Sequence, residues 1–100
     1  MINDLTFQTP ISVLQDFCSR RLGGRVPDYR MICQDAPVHK PTFIFRVEIA
    51  GVVATASALS KKKAKHAAAL KALEELSVEY DDEVATRYIQ SQKNIPVASA

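Results

Sequence analysis

The stretch from Thr42 to Ala58 constrains the fold more than any other. Phe43, Phe45, Val47 and Ile49 alternate with Thr42, Ile44, Arg46 and Glu48, the period of two that marks a half-buried strand. Ala50-Gly51 follows as a tight reversal, and Val52 to Ala58 reads as a second strand, poor in charge. Upstream, Val26-Pro27-Asp28 is a turn. It leads into a strand in which Tyr29, Met31 and Cys33 alternate with Arg30, Ile32 and Gln34. The loop from Asp35 to Pro41 is punctuated by Pro37 and Pro41. Three antiparallel strands with one apolar face need a covering layer.

Two helical patterns supply it. Thr9-Pro10 is a helix start, an N-cap hydroxyl followed by proline at the first helical position. Ile11, Leu14, Cys18 and Leu22 recur at helical spacing beside Phe17, and Gly23-Gly24 stops the run. The second pattern starts at Ser60, a candidate N-cap, and continues through Leu70, Leu73 and Leu76. The expected architecture is α+β in two layers, α-β-β-β-α, with both helices on one face of a three-stranded antiparallel sheet. Residues 1–8 read as an N-terminal arm and 9–76 as the domain. Residues 77–100 read as an acidic linker or an extension to a further region, although Val84, Tyr88 and Ile89 would share one side of a short helix within 81–92.

Charge is unevenly distributed. The net charge of +2 hides a +6 segment over residues 1–73 and a −4 segment over 74–100. A basic domain attracts nucleic acid or an anionic membrane surface. No apolar run approaches the length of a membrane span. Catalysis finds little support: there is no HExxH or CxxC pattern, no glycine-rich phosphate loop and no nucleophile elbow. His39 and His66 have no metal-ligand spacing to Cys18 or Cys33, so neither a metal nor another cofactor is expected. The two cysteines sit in apolar patterns and read as small buried hydrophobes in a reducing compartment.

The basic segment concentrates its charge at Ser60-Lys61-Lys62-Lys63-Ala64-Lys65. At about 100° per residue, Lys61, Lys62 and Lys65 share an arc of about 100°, while Lys63 points away from them. The start of a helix also offers free backbone N–H groups and the positive end of the helix dipole, which suits a phosphate backbone. A lysine run at a helix start is more often a plain solvated face, so two further elements matter. His39 and Lys40, at a loop tip, suit a shallow groove, and Gln15 lies on the polar face of the first helix with Ser12, Asp16 and Ser19. One phosphate-binding face with two separated hydrogen-bonding elements is what shape recognition of A-form RNA requires. Phe43 and Phe45 belong to the apolar alternation and are expected in the core, not as base platforms.

In this order the parts resemble the double-stranded RNA-binding domain, over about Thr9 to Leu76. The resemblance is carried by Thr9-Pro10, Leu14-Gln15, Pro27-Asp28-Tyr29, Pro37-Val38-His39, Phe43, Val47 and the lysine motif. Thr42 to Val47 together with Ala64-Lys65-His66-Ala67-Ala68 looks most like the first such domain of Dicer-partner proteins of the TRBP, PACT and Loquacious type. The resemblance implies a non-catalytic module that binds double-stranded RNA in small-RNA biogenesis or RNA interference. The implied RNA-binding residues are Thr9, Gln15, Asp16, Pro37, His39, Lys40, Lys61, Lys62 and Lys65. The implied partners are duplex RNA and, through regions beyond this segment, a Dicer-like ribonuclease or another protein of the same domain type. The implied location is the cytoplasm, with the nucleus second. The family usually has glycine where this chain has Ala36 and Ala58, and glutamate where it has Asp16. The rival reading is a module of the same fold that docks a protein partner or itself and binds RNA weakly or not at all. The intact lysines favour RNA. The acidic extension is expected to be dispensable for RNA binding and to oppose it mildly through its charge.

Overall fold

The computed structural model describes residues 8–35 and 42–93, with 33–35 described by backbone alone. The order is α1 (Pro10–Arg21), β1 (Asp28–Asp35), β2 (Thr42–Ile49), β3 (Val52–Ala58), α2 (Lys61–Glu79) and α3 (Glu83–Lys93). The strands form one antiparallel sheet in the order β1-β2-β3. The α-β-β-β-α arrangement is therefore present, with a third helix added to it. The arm at 1–7 and the loop at 36–41 lie outside the described residues.

The caps are where the sequence puts them. The Thr9 hydroxyl accepts from the Ser12 N–H at 3.1 Å, and Pro10 opens α1. Gly23 and Gly24 take φ of 67° and 86°, the left-handed region that ends the helix. At the β2–β3 reversal Ala50 and Gly51 have φ of 52° and 82°, the paired positive values of a two-residue hairpin turn. Ala58 does not have a positive φ, so its backbone does not call for glycine.

Val47 and Ile49 from β2 and Val52 and Ala54 from β3 meet Val13, Leu14, Phe17 and Cys18 of α1. They also meet Ala68, Ala69, Ala72, Leu73 and Leu76 of α2. The alanines let α2 lie close on β2 and β3 while its flanks touch α1 and α3. Cys18 is buried and free. Phe45 is only half-buried, packed against this core.

Two expectations are corrected. The phase of β1 changes at a bulge: Met31 stands opposite Phe45, but Cys33 stands opposite Ile44. One extra residue at Ile32 interrupts the ladder, so the unbroken period of two expected from Tyr29 to Gln34 does not run through the strand. Second, a polar linker does not follow Leu76. Residues 77–79 complete α2, and 83–93 form α3, which buries Ala85, Tyr88 and Ile89. The junction is tight. Asp81 takes φ of 50°, its N–H donates to the Val78 carbonyl at 3.2 Å, and the Asp82 N–H donates to the Ser77 carbonyl at 3.0 Å. This pair of bonds closes a helix with a left-handed residue, a place that aspartate tolerates. Asp82 then caps α3 by accepting from the Ala85 N–H at 2.9 Å.

Candidate nucleic-acid interface

The lysine motif occupies the first turn of α2. Ser60 is the N-cap, its hydroxyl accepting from the Lys63 N–H at 3.1 Å, which fixes the start of the helix and hence its register. Lys61, Lys62 and Lys63 are exposed and Lys65 is half-buried. Their directions follow from the register. The arc that holds Lys61, Lys62 and Lys65 is continued by Ala68, Ala69, Ala72, Leu73 and Leu76, all buried. Lys63 lines up instead with Glu74 and Val78, and Val78 is 82% exposed. The three lysines thus stand in line with the side of α2 that faces the core further along the helix. Lys63 stands on the outward side.

A strand supports the third lysine. The Lys65 ammonium lies over the Tyr29 ring of β1, 4.7 Å from its centroid. The Tyr29 hydroxyl is buried without a protein hydrogen-bond partner. Burial, helped by the nearby Cys18, pushes this phenol up to about 12. It stays neutral, and the ring presents its negative face to the ammonium. His66 is half-buried behind the same arc. Burial holds its imidazole below the ordinary value, and the charges of Lys62 and Lys65 add to that.

On α1, Thr9, Ser12, Gln15, Asp16 and Ser19 are exposed, opposite the buried Val13, Leu14, Phe17 and Cys18. The Thr9 hydroxyl is engaged in its cap. The Asp16 carboxylate accepts from Arg20 Nε at 2.8 Å. Arg20 also forks onto Asp82 with two bonds of 3.2 Å, and Arg21 reaches the same carboxylate at 2.8 Å. Pro37, His39 and Lys40 lie outside the described residues. The fold therefore brings together α1 and α2, which pack on one another and, with the N-cap Thr9, carry six of the nine predicted residues.

Tyr29, Arg20 and Asp82 were not singled out as site residues from sequence. Tyr29 reads as one more inward strand residue, and the partners of Arg20 lie both 4 and 62 residues away. Only the nearer one is visible as helical spacing. Among the described residues no group of three or more His, Cys, Asp or Glu is placed to hold a metal ion, and no helix is long and apolar enough to cross a membrane.

Residues 10–76 match the double-stranded RNA binding motif, and the chain belongs to that family. Among curated relatives, Protein Loquacious of Drosophila melanogaster is 40% identical over 78 residues, covering 74% of this chain and 16% of that protein. RISC-loading complex subunit tarbp2 of Danio rerio is 41% identical over 69 residues, covering 69% of this chain and 19% of that protein. The Mus musculus protein of the same name is also 41% identical over 69 residues, with 18% of its length covered. The chain thus spans less than a fifth of the length of these relatives.

Proposed function

We propose that this chain binds double-stranded RNA by shape, as the non-catalytic RNA-holding part of an RNA-silencing assembly. The observation that carries the reading is the arc of Lys61, Lys62 and Lys65 at a capped helix start, on a helix that packs against α1, whose polar face is exposed. In this reading the three ammonium groups bridge phosphates across the narrow major groove. Thr9, Gln15 and Asp16 face one minor groove, and Pro37, His39 and Lys40 the next, over about 16 base pairs. The 2′-hydroxyls, present only in RNA, meet the hydrogen-bonding groups of α1 and the loop. Base edges are not read in order, so the binding tolerates any sequence.

The silencing role rests on the relatives, two of which are named as subunits of a RISC-loading complex. A Dicer-like ribonuclease or a second protein of this domain type is the corresponding partner, met through regions beyond this segment. The cytoplasm is the proposed place of action, with the nucleus second.

The test is a titration of duplex RNA and duplex DNA of the same sequence at two salt concentrations. Duplex RNA should bind well above DNA, with little dependence on its sequence. Its log affinity should fall linearly with log salt, as phosphate neutralisation by lysine demands. Equal affinity for both duplexes would overturn the reading and leave the protein-docking alternative in its place.

A further inference from the structure

The stretch expected to be a dispensable linker is fastened to both ends of α1. At one end is Asp82, 2% exposed, whose carboxylate takes the Arg20 fork, an Arg21 bond of 2.8 Å and the Ala85 N–H. Arg21 also donates to the Tyr80 carbonyl at 3.2 Å, and the Tyr80 ring meets Phe17 edge-on at 5.4 Å. At the other end the Tyr88 hydroxyl donates to the Gln8 carbonyl at 2.7 Å, one residue before the N-cap of α1. The start of α3 thus meets the end of α1, and the middle of α3 reaches back to its beginning. Val13, Leu14, Phe17 and Cys18 already seat the middle of α1 on the core, and these bonds fix its two ends as well.

We propose that α3 is a brace that positions α1 on duplex RNA, with Asp82 and Tyr88 as positioning residues. The proposal rests on the RNA reading and deepens it. Asp82 orients Arg20 through two guanidinium nitrogens, and the remaining Nε of Arg20 holds the Asp16 carboxylate on the exposed face of α1. Asp16 is thereby both neutralised against nearby phosphates and fixed as an acceptor for 2′-hydroxyl donors. Tyr88 sets the height of Thr9 and, through it, of Gln15. Hydrogen bonds weaken steeply with distance and angle, so minor-groove contacts depend on this placement more than the lysines do. The lysine arc belongs to α2, and its attraction to phosphate acts over a longer range. The expectation that residues 77–100 are dispensable is thereby reversed for α3.

The experiment compares the parent chain with Tyr88→Phe and Asp82→Asn. Each is titrated with duplex RNA and with the same-sequence duplex DNA across a salt series, beside a thermal melt. Tyr88→Phe removes one hydroxyl and keeps the buried ring, so it should fold. It should lose about threefold in duplex RNA affinity, the weight of one ordinary hydrogen bond, with DNA affinity and the RNA salt slope unchanged. Asp82→Asn should lose about tenfold in the folded fraction, with the same pattern. If Asp82→Asn does not fold, Tyr88→Phe decides alone. Unchanged RNA affinity in folded Tyr88→Phe overturns the brace. So does a loss shared equally by RNA and DNA, which reports only general loosening. A parent chain that binds both duplexes equally overturns the RNA reading itself, and the brace with it, before any variant is measured.

Discussion

The Lys65 ammonium stands 4.7 Å from the centroid of the Tyr29 ring, so the sheet holds one of the three arc lysines of α2. Lysine side chains at a surface sample many rotamers, and ordering one on binding costs free energy. A ring beneath the ammonium removes part of that cost beforehand. Tyr29 is itself fixed by its place opposite Val47 in the β1–β2 ladder. The chain of causes runs from strand register to ring, from ring to ammonium, and from ammonium to the proposed phosphate.

Two substitutions separate the ring from the hydroxyl. Tyr29→Phe keeps the ring face and removes a buried hydroxyl that has no protein partner. It should leave duplex RNA affinity unchanged and raise stability by up to about 1 kcal/mol. Tyr29→Leu removes the ring and should lower RNA affinity about two- to fivefold, the weight of a cation–π contact at a partly exposed site. Thermal melts and RNA titrations of both variants check this. A larger affinity loss in Tyr29→Phe than in Tyr29→Leu would show that the hydroxyl matters and the ring does not.

The β2–β3 turn offers a test of the fold independent of any ligand. Ala50 sits at φ of 52°, where a Cβ crowds the backbone. Asparagine tolerates this region, and Asn-Gly is the preferred pair for a turn of this type. Ala50→Asn should therefore stabilise the domain by about 0.5–1 kcal/mol, which corresponds to a rise of several degrees in Tm. Ala50 is half-buried against the core, so a fall in Tm would mean that its methyl packing outweighs the backbone strain.

Much of this fold is written locally. Thr9-Pro10, Gly23-Gly24, Ala50-Gly51 and Ser60 each act on residues within one turn, and each stands where the sequence places it. The bulge at Ile32 was not legible, because Met31, Ile32 and Cys33 are all apolar and a change of phase leaves no mark in such a run. The third helix was hidden for a different reason. Val84, Tyr88 and Ile89 gave a short apolar side, but the stretch is acidic, and the partners of Asp82 lie 61 and 62 residues back in α1. No periodicity reports a contact at that separation. In the candidate site, helical register identified the arc of Lys61, Lys62 and Lys65. That the same arc faces the core one turn later needed the burial of Ala68 and Ala69.

Asp82 gives the domain an acid-sensitive joint. Burial pushes its carboxyl up, but the Arg20 hydrogen bonds, the Ala85 N–H and Arg21 together outweigh burial and hold it below its ordinary value of 3.8. A carboxyl whose folded pKa lies below its unfolded pKa stabilises the fold fully above the unfolded value. That contribution is lost as the pH falls through the folded one. Stability should therefore be steady near neutrality and decline below about pH 4. Asp82→Asn should flatten part of that decline and cost about 2–3 kcal/mol at pH 7, less than for a fully buried pair because both arginines stay about one-third in water. Denaturant unfolding of parent and variant from pH 3 to 7 measures both effects. Parallel curves would show that Asp82 is not the titrating group.

The neighbours Lys62 and Lys63 carry the same charge one residue apart and point about 100° away from each other on α2. Lys62 shares its arc with Lys61, Lys65 and the buried alanines, while Lys63 shares its own with the exposed Val78. A diffuse electrostatic attraction would respond alike to the loss of either one, since charge matters more than direction at long range. A fixed phosphate face would not. Lys62→Ala should cost about tenfold in duplex RNA affinity and lower the salt slope by nearly one unit. Lys63→Ala should cost much less, with Lys61→Ala and Lys65→Ala near Lys62→Ala or between the two. Alanine is a good helix residue, and the Lys63 N–H that Ser60 caps belongs to the backbone, so all four variants should fold. His66 supplies a second readout from the same arc. Burial and then Lys62 and Lys65 depress its pKa, so Lys62→Ala should move it back up in a proton NMR titration. Added duplex RNA should also move it up, because phosphates on that arc would favour the imidazolium. Equal affinity losses in Lys62→Ala and Lys63→Ala, with a His66 titration that ignores the duplex, would mean that this helix start is only a charged surface.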